Sequence, residues 1–304
     1  MTERKLKSKF LYNMEFVKKE IINKGWSGDI KYCAHAKSGD KYLLRITPDS
    51  RSDYRSEMYR MQCVVSDIGV PMCKPVDFGK CDEGFYVVQT WIDGEDAESV
   101  IPYLDSSAQY TYGIKAGQIL RKIHSVPASE ECADWEERFN AKIDRKVLAY
   151  NNCPIKFEGA EYIIKYIESN RHLLAGRPQC FQHGDYHIGN MMVDKNGELI
   201  IIDFDRYDFG DPWEEFNRIV WCAQKAPDFA KGIVDGYFDC NIPEDFWKLL
   251  ALYISSNTLS SVPWAIPFGD GEIKVMLDQA KDVLGWYDNM TEIVPSWYTT
   301  GKMI

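Results

Sequence analysis

Three polar side chains next to short apolar segments have the types and spacing needed to bind a metal and abstract a proton. Asp185 and Asn190 stand five residues apart, and Asp203 directly follows the apolar run at residues 199–202. A carboxylate at the end of a buried strand is costly unless it is paired or binds a metal. Asp203 and Asn190 supply hard oxygen ligands that Mg²⁺ accepts, and Mg²⁺ needs only one or two carboxylates when phosphate oxygens complete its shell. Asp185 is then free to accept a proton from an attacking hydroxyl group.

The spacing of these residues resembles a known catalytic arrangement. His-x-Asp-x-x-x-x-Asn, followed by a hydrophobic strand that ends in Asp-Phe, is the pattern of kinase catalytic and metal-binding loops. The variant at residues 183–190, His-Gly-Asp-Tyr-His-Ile-Gly-Asn, resembles the His-Gly-Asp-x-His-x-Gly-Asn motif of the aminoglycoside phosphotransferase family, the small-molecule branch of the kinase-like superfamily. Asp203-Phe204-Asp205, with an acid where protein kinases have glycine, is also similar to that family. The resemblance extends from about residue 20 to at least residue 225.

The hydrophobic pattern predicts the elements that would position these residues. Before residue 94 it predicts strands at 30–36, 41–46, 75–78 and 85–90 and one helix that begins near Ser50 or Ser52 and ends at Gly69. After about residue 95 it predicts helices, interrupted between 179 and 202 by short strands with a tight Asn196-Gly197 turn. The last helices are predicted at 212–226, 244–259 and 272–288.

The family resemblance implies a fold that agrees with this pattern. It is an α+β, protein-kinase-like bilobal fold with a small antiparallel-sheet lobe followed by a larger, mainly helical lobe. We expect a nucleotide-binding lobe at residues 1–93 and a catalytic and acceptor-binding lobe at residues 94–304. The resemblance also implies that His183 and His187 brace the catalytic loop rather than bind a metal.

Arg45 and Glu57 are candidates for a phosphate-binding pair. Arg45 stands on the predicted strand 41–46, where protein kinases carry a phosphate-binding lysine. Arginine is a permanent cation with several donors and is found there in many family members. The resemblance implies that Glu57, in the following helix, is the acidic partner that orients this cation.

Further nucleotide contacts are implied by position in the family pattern. Ser27 lies in the segment 25–29, where a phosphate-covering loop belongs, although an incomplete glycine pattern leaves an ordinary turn as the alternative. Thr90 and Ile92 would form the backbone hinge for the purine.

The residues after Asp203 bear on the acceptor. Only seven residues separate Asp203 from Asp211, and there is no Ala-Pro-Glu motif, which argues against a protein kinase. In the family, early residues of the helix that begins at this point supply carboxylates for the amino groups of the acceptor, so Glu214 and Glu215 are candidates. The alternative is that Glu214 caps its own helix and Glu215 is solvated.

Together these features predict a phosphotransferase that uses ATP or GTP and Mg²⁺ to modify a hydroxyl group of a small cationic molecule. An aminoglycoside antibiotic is the first expected acceptor, which would make the chain a resistance enzyme. Choline, ethanolamine, macrolides, homoserine and sugar-amines, which similar folds phosphorylate, remain alternatives. A nucleotide-binding pseudokinase is the alternative from another class, and the presence of Asp185, Asn190 and Asp203 together counts against it.

The composition of the chain narrows its partners and location. Its 304 residues include 46 acidic and 36 basic side chains, a net charge of −10 that argues against nucleic-acid binding. No apolar run approaches the ~20 residues of a membrane span, and no apolar signal core follows the charged start. The nine cysteines form no C-x-x-C pair, so neither a disulfide framework nor a zinc site is predicted. We therefore expect a cytoplasmic protein without a membrane or nucleic-acid partner.

Overall fold

The computed structural model describes residues 16–23 and 28–299, apart from the side chains of Asp49 and Ser52. The chain forms two compact units. Unit 1 contains the described residues up to Glu95 together with Met192–Asp205, and unit 2 contains Asp96–Met191 and the described residues from Arg206 onward. The predicted α+β class, with an antiparallel sheet first and helices after it, is confirmed.

Strands predominate before residue 97 of the described chain, and helices predominate after it. The strands are β1 (Phe16–Ile22), β2 (Ile30–Ala36), β3 (Lys41–Thr47), β4 (Pro75–Cys81), β5 (Gly84–Thr90), β6 (Gly94–Asp96), β7 (Cys180–Gln182), β8 (Met191–Asp194), β9 (Leu199–Ile201) and β10 (Asp208–Gly210). The helices are α1 (Ser52–Asp67), α2 (Ala97–Val100), α3 (Ser106–Ile123), α4 (Trp135–Asn152), α5 (Ala160–Asn170), α6 (Ile219–Lys225), α7 (Pro227–Phe238), α8 (Glu244–Ala265), α9 (Asp270–Trp286) and α10 (Ser296–Thr299). Short 3₁₀ helices include Ile188–Asn190, Phe204–Arg206 and Glu214–Arg218.

The main sheet of unit 1 has the strand order β1-β2-β3-β5-β4, and every neighbouring pair is antiparallel. One of its faces carries a buried cluster: Ala34, Leu44, Ile46, Tyr86 and Val88. Because side chains alternate along a strand, Arg45 lies on the opposite face from its neighbours Leu44 and Ile46. Helix α1 packs against β4 and β5. Strands β6, β8 and β9 form a separate three-stranded sheet in that order.

A close helix crossing in unit 2 supports the loop that carries Tyr186. Helices α3 and α7 meet at four glycines: Gly113, Gly117, Gly232 and Gly236. A Cβ on Gly117 would lie 2.2 Å from the carbonyl oxygen of Ile233, so only glycine permits this approach. The carbonyl oxygen of Ala116, on the same helix α3, accepts a hydrogen bond of 2.7 Å from the Tyr186 hydroxyl. The crossing therefore fixes the backbone to which the loop residue Tyr186 is attached.

The segment after β10 differs from its prediction. Instead of one helix over 212–226, a turn at Asp211 leads into the 3₁₀ segment Glu214–Arg218 and then into α6. The Asp211 carboxylate accepts from the Trp213 amide at 2.9 Å, as a cap would, but it is also buried against Arg177, whose Nε donates at 2.7 Å. The early turn is thus fixed by a buried ion pair rather than by helix propensity.

Among the described elements that were not predicted, the longest are β1 and α7. Strand β1 alternates weakly, since most of its side chains are exposed. Helix α7 follows α6 with only Ala226 between them, so the hydrophobic pattern shows no clear break. In the described residues, no helix combines the length and the apolar character that crossing a bilayer requires.

Candidate active site

The loop between β7 and β8 carries the first part of the predicted motif. Its backbone is held by Glu215, whose carboxylate accepts from the amide of Gly184 at 2.9 Å and from that of Tyr186 at 3.4 Å. His124 Nε2 lies 3.7 Å from the same carboxylate. Glu215 is only 2% exposed. It is therefore a buried anchor of the loop.

The Asp185 carboxylate lies among three cationic or titratable side chains of unit 2. Its Oδ1 is 3.2 Å from Arg218 Nε and 3.7 Å from His187 Nε2, and its Oδ2 is 3.9 Å from Arg206 Nε. Burial alone would raise the pKa of Asp185, but the hydrogen bond from His187 and the charges of Arg218 and Arg206 outweigh it and hold that pKa well below its usual range. Asp185 is thus a carboxylate at neutral pH.

Asn190 is oriented by the same loop. Its amide nitrogen donates to the carbonyl oxygen of Asp185 at 2.9 Å and lies 3.4 Å from His187 Nε2. Since the nitrogen is used in this way, the amide oxygen is left to act as a ligand. His187 accepts from the Gly189 amide at 3.1 Å through Nδ1, so its ring braces the loop.

In unit 1, Arg45 belongs to a buried cluster of two arginines and two aspartates. Arg45 donates to Asp205 through Nη1 at 3.0 Å and through Nη2, and it donates to Asp29 at 2.9 Å. Arg55, from helix α1, donates to Asp205 at 2.9 Å and also to Asp29. Each carboxylate therefore joins both guanidinium groups, and Thr47 Oγ1 adds a bond of 2.9 Å to Asp29. We call the two arginines and two aspartates the Arg–Asp ring.

The Arg–Asp ring corrects the predicted partner of Arg45. Glu57 is bound to Arg60, whose Nε donates at 3.0 Å, and nearly half of the Glu57 side chain is exposed. Among the described residues, the carboxylates at Arg45 are Asp29, Asp205 and, at 3.9 Å, Asp203. The Arg45–Glu57 pair is therefore wrong, because Glu57 lies on the solvent side of α1 while Arg55 occupies the buried side.

Asp203 lies at the end of β9 in unit 1, as predicted. Its backbone has φ = 64°, a left-handed conformation that is uncommon for a non-glycine residue and is often found at functional positions. Its carboxylate is 39% exposed. Apart from the ion pair of 3.9 Å with Arg45, it has no tight partner among the described residues, so it is accessible to a metal ion.

The predicted nucleotide contacts are only partly described. Ser27 lies outside the described residues. The amide of Thr90 donates to the carbonyl oxygen of Lys74 at 2.9 Å, which ties the end of β5 to the segment before β4. Within the described part of the chain, Ile92 has no hydrogen bond to another backbone group.

The carboxylates proposed for acceptor binding are engaged elsewhere. Glu215 holds the loop amides and is buried, which corrects both its predicted role and its predicted exposure. Glu214 accepts from Lys142 at 3.1 Å and from Gln182 at 3.3 Å. Burial would raise the pKa of Glu214, but Lys142 and Lys146 lower it, so it stays ionised within a salt bridge. Glu215 is thus closed to an acceptor by burial, whereas Glu214 would have to share its carboxylate with Lys142.

Gly184→Ala should disrupt the loop far more than the same change at another left-handed glycine. Gly184 has φ = 84°, and a Cβ there would lie 1.8 Å from the carbonyl oxygen of Arg206. Gly176 has φ = 66° and no atom within 4 Å of such a Cβ. We expect Gly176→Ala to cost about 1 kcal/mol from backbone strain and Gly184→Ala more than about 3 kcal/mol, measured by urea unfolding. Equal losses in the two variants would show that the Arg206 contact is easily relieved.

Several residues of the site were not identified from the sequence. Asp29, Arg55 and Arg218 are polar or charged residues outside the motif. The helical spacing does indicate that Arg55 is buried, because it precedes the buried Met58 by about one helical turn. Arg218 has no comparable signal, since it depends on how the 3₁₀ segment Glu214–Arg218 turns back toward Asp185.

Comparison with known proteins identifies the family. The model of the phosphotransferase enzyme family matches residues 20–250 of the chain. No curated protein sequence is significantly similar to it. The GDP complex of wild-type aminoglycoside 2′-phosphotransferase-IIIa is similar with a TM-score of 0.67 and 15% identity, over 91% of this chain and 95% of that chain.

Two further solved structures share the fold. A choline/ethanolamine kinase family protein from Mesorhizobium loti has a TM-score of 0.65 and 15% identity, over 96% of each chain. An amicoumacin kinase in complex with AMP-PNP, Ca²⁺ and Ami has a TM-score of 0.62 and 15% identity, over 90% of each chain. The family match covers the catalytic loop, Asp203 and Arg45 alike. The chain therefore belongs to the phosphotransferase enzyme family and is a small-molecule kinase with the protein-kinase-like fold of the aminoglycoside phosphotransferases.

Proposed function

We propose that this chain transfers the γ-phosphoryl group of ATP or GTP to a hydroxyl group of a small molecule, with Asp185 as the catalytic residue. The observation that carries the proposal is the Asp185 carboxylate, held ionised next to Arg218, His187 and Arg206 in a loop whose backbone is anchored by Glu215. A carboxylate in this state can orient a hydroxyl group and accept its proton.

The residues of the chain would divide the work of phosphoryl transfer. The transition state of this reaction is loose, so the protein mainly positions the reactants and neutralises charge. Arg45 would bind phosphate oxygens from the sheet of unit 1, and Thr90 and Ile92 would offer backbone groups to the purine. Ser27 is proposed to contact the phosphates through its backbone. Asp185 would align the acceptor hydroxyl and take its proton as the new P–O bond forms.

Asn190 and Asp203 are proposed to hold Mg²⁺. Their donor set, one amide oxygen and one exposed carboxylate, fits an ion that takes few protein ligands and completes its shell with phosphate oxygens and water. When bound, Mg²⁺ supplies charge neutralisation at the phosphate oxygens. The amicoumacin kinase complex contains AMP-PNP and Ca²⁺, which supports a nucleotide and a divalent cation in this fold.

The acceptor proposed from the sequence is an aminoglycoside, and an antibiotic-resistance function would follow from it. A cytoplasmic location is proposed separately, from the cysteine pattern and the charged start of the sequence. The names of the fold relatives support an aminoglycoside, amicoumacin or a choline-like alcohol as compounds to test first. Glu214 and Glu215, the candidate carboxylates for a cationic acceptor, already have partners within the chain.

A phosphate-transfer screen tests the proposed function. Aminoglycosides, macrolides, choline, ethanolamine, homoserine and sugars would be incubated with ATP or GTP and Mg²⁺, and new phosphomonoesters would be detected by mass spectrometry. We expect one acceptor class to be phosphorylated, and Asp185→Asn to abolish that product. A chain that binds neither nucleotide under any of these conditions would contradict the proposal.

Asp203→Ala and Asn190→Ala should each weaken Mg²⁺-dependent nucleotide binding. Removing a metal ligand should cost at least about tenfold in affinity, since even outer-shell partners of metals typically matter by that factor. The measurement is nucleotide titration with and without Mg²⁺, with Asn241→Ala, in an exposed loop, as the control. Unchanged Mg²⁺ dependence in Asp203→Ala would remove Asp203 from the metal site.

A further inference from the structure

Arg218 is a guanidinium group without hydrogen-bond partners next to the catalytic carboxylate. Its Nε is buried and lies 3.2 Å from Asp185 Oδ1, but the direction of its N–H does not make a hydrogen bond. Arg218 therefore pairs with Asp185 by charge, while the hydrogen-bonding capacity of its buried Nε stays unused. Because a guanidinium carries five N–H donors in a fixed fork, Arg218 retains a full set of donors for an anionic group.

Lys146, in the same unit, is a cation without an ion pair among the described residues. It lies one turn after Lys142 on α4, and Lys142 is already paired with Glu214 at 3.1 Å. Lys146 is half-buried, and no described residue forms a hydrogen bond or ion pair with it. Burial lowers the pKa of Lys146 to about 7. The positive charges of Lys142 and Arg218 also lower this pKa, whereas the negative charge of Glu214 raises it. A half-buried ammonium group with these surroundings is poorly compensated.

The charged side chains near Arg218 include more cations than carboxylates. Arg206 and Arg218 lie beside Asp185, whereas Lys142 and Lys146 lie near Glu214 at the start of the same 3₁₀ segment, and Lys146 carries only part of its charge at neutral pH. Glu215 is already bound to the amides of the loop. An acceptor with amino groups would meet net repulsion here, whereas a carboxylate or phosphate would supply the missing counter-charge.

We propose that the acceptor carries an anionic group, a carboxylate or a phosphate, which binds Arg218 and Lys146 while its hydroxyl group faces Asp185. This inference rests on the proposed function and names its substrate class. It differs from the cationic acceptor expected from the sequence. Lys146 and Arg218 are binding residues in this scheme.

Binding of four sugars that share one ring tests the inference. Glucose 6-phosphate and glucuronate carry an anionic group, glucose is neutral and glucosamine is cationic. Calorimetric titrations would be made with AMP-PNP and Mg²⁺ already bound, so that the probe cannot occupy the place of the donor phosphates. We expect one of the two anionic sugars to bind at least about tenfold more tightly than glucose, and glucosamine to bind no better than glucose.

Two further measurements distinguish a binding role from a purely structural one: the sugar affinity of variants and the protons taken up on binding. Lys146→Met and Arg218→Met should each weaken binding of the anionic sugar by about tenfold or more. Lys165→Met, on the exposed side of α5, should leave that binding unchanged. At pH 8, where Lys146 is largely neutral, anion binding should take up as much as about one proton in the parent and none in Lys146→Met. Titrations in two buffers of different ionisation enthalpy measure this uptake.

The possible outcomes separate the inference from the proposed function. The inference is overturned if the anionic sugars bind no better than glucose. It is also overturned if they bind Lys146→Met and Arg218→Met as tightly as the parent. If Arg218→Met weakens binding of AMP-PNP but not of ADP, Arg218 contacts the γ-phosphate of the donor, and the inference also fails. Failure of AMP-PNP itself to bind the parent contradicts the proposed function instead.

Discussion

Asp185→Asn is expected to bind the Mg²⁺-nucleotide about as well as the parent and to transfer phosphate about 10²- to 10⁴-fold more slowly, the range of general-base catalysis. Asparagine keeps the size and one hydrogen-bond acceptor of aspartate but removes the charge and the basic site. The Asn190 amide, the proposed metal ligand, is oriented by the carbonyl oxygen of residue 185 rather than by its side chain, so the substitution leaves that contact in place.

Steady-state kinetics and a separate nucleotide titration decide this prediction. Asp82→Asn, in the exposed turn between β4 and β5, is the matched control and should behave as the parent. Since the surrounding cations hold the pKa of Asp185 below the usual carboxyl range, protonation of Asp185 should cause no loss of activity between about pH 5 and 8. Near-parental turnover in Asp185→Asn would mean that the loop has another role.

Local patterns account for what the sequence predicted well. The catalytic motif is contiguous at residues 183–190, and Asp203 follows an apolar run, so their placement on a loop and at a strand end required no knowledge of distant contacts. The strands and α1 were found because alternation and helical spacing are local signals. The family motif then supplied the order of the lobes.

The partners of the charged groups were not predictable in the same way. Arg45 pairs with Asp205, 160 residues away, and Arg55 pairs with Asp29, 26 residues away. No sequence period encodes such contacts. The helical pattern does argue against the predicted Arg45–Glu57 pair. Arg55, Met58 and Gln62 lie at helical spacing on the buried face of α1, whereas Glu57 lies outside that face.

Glu215 illustrates a further limit of local patterns. Adjacent acidic residues in the first turn of a predicted helix usually indicate solvated side chains or helix capping. The two residues instead have different surroundings, because the segment forms a 3₁₀ turn that directs Glu215 into the protein and leaves Glu214 beside Lys142. The local geometry of this short turn thus determined which carboxylate supports the catalytic loop.

The Arg–Asp ring should show strong energetic coupling. Arg55 is 2% exposed and the Asp29 side chain is fully buried, so removing either charge leaves its partner buried and uncompensated. We expect Arg55→Met and Asp29→Asn each to lower the free energy of unfolding by about 3–5 kcal/mol, the loss usual when one partner of a buried ion pair is removed.

The double variant distinguishes a paired charge from two independent packing defects. Arg55→Met together with Asp29→Asn removes one positive and one negative charge, and it leaves Arg45 bound to Asp205 at 3.0 Å. The double variant should therefore be destabilised by clearly less than the sum of the single variants, with a coupling energy of roughly 1–3 kcal/mol. Urea unfolding measures all three, and Arg60→Met, which removes an exposed arginine from the same helix, should change little. If the losses simply add, the two groups act separately, and Arg55 does not hold Arg45 in place through their shared carboxylates.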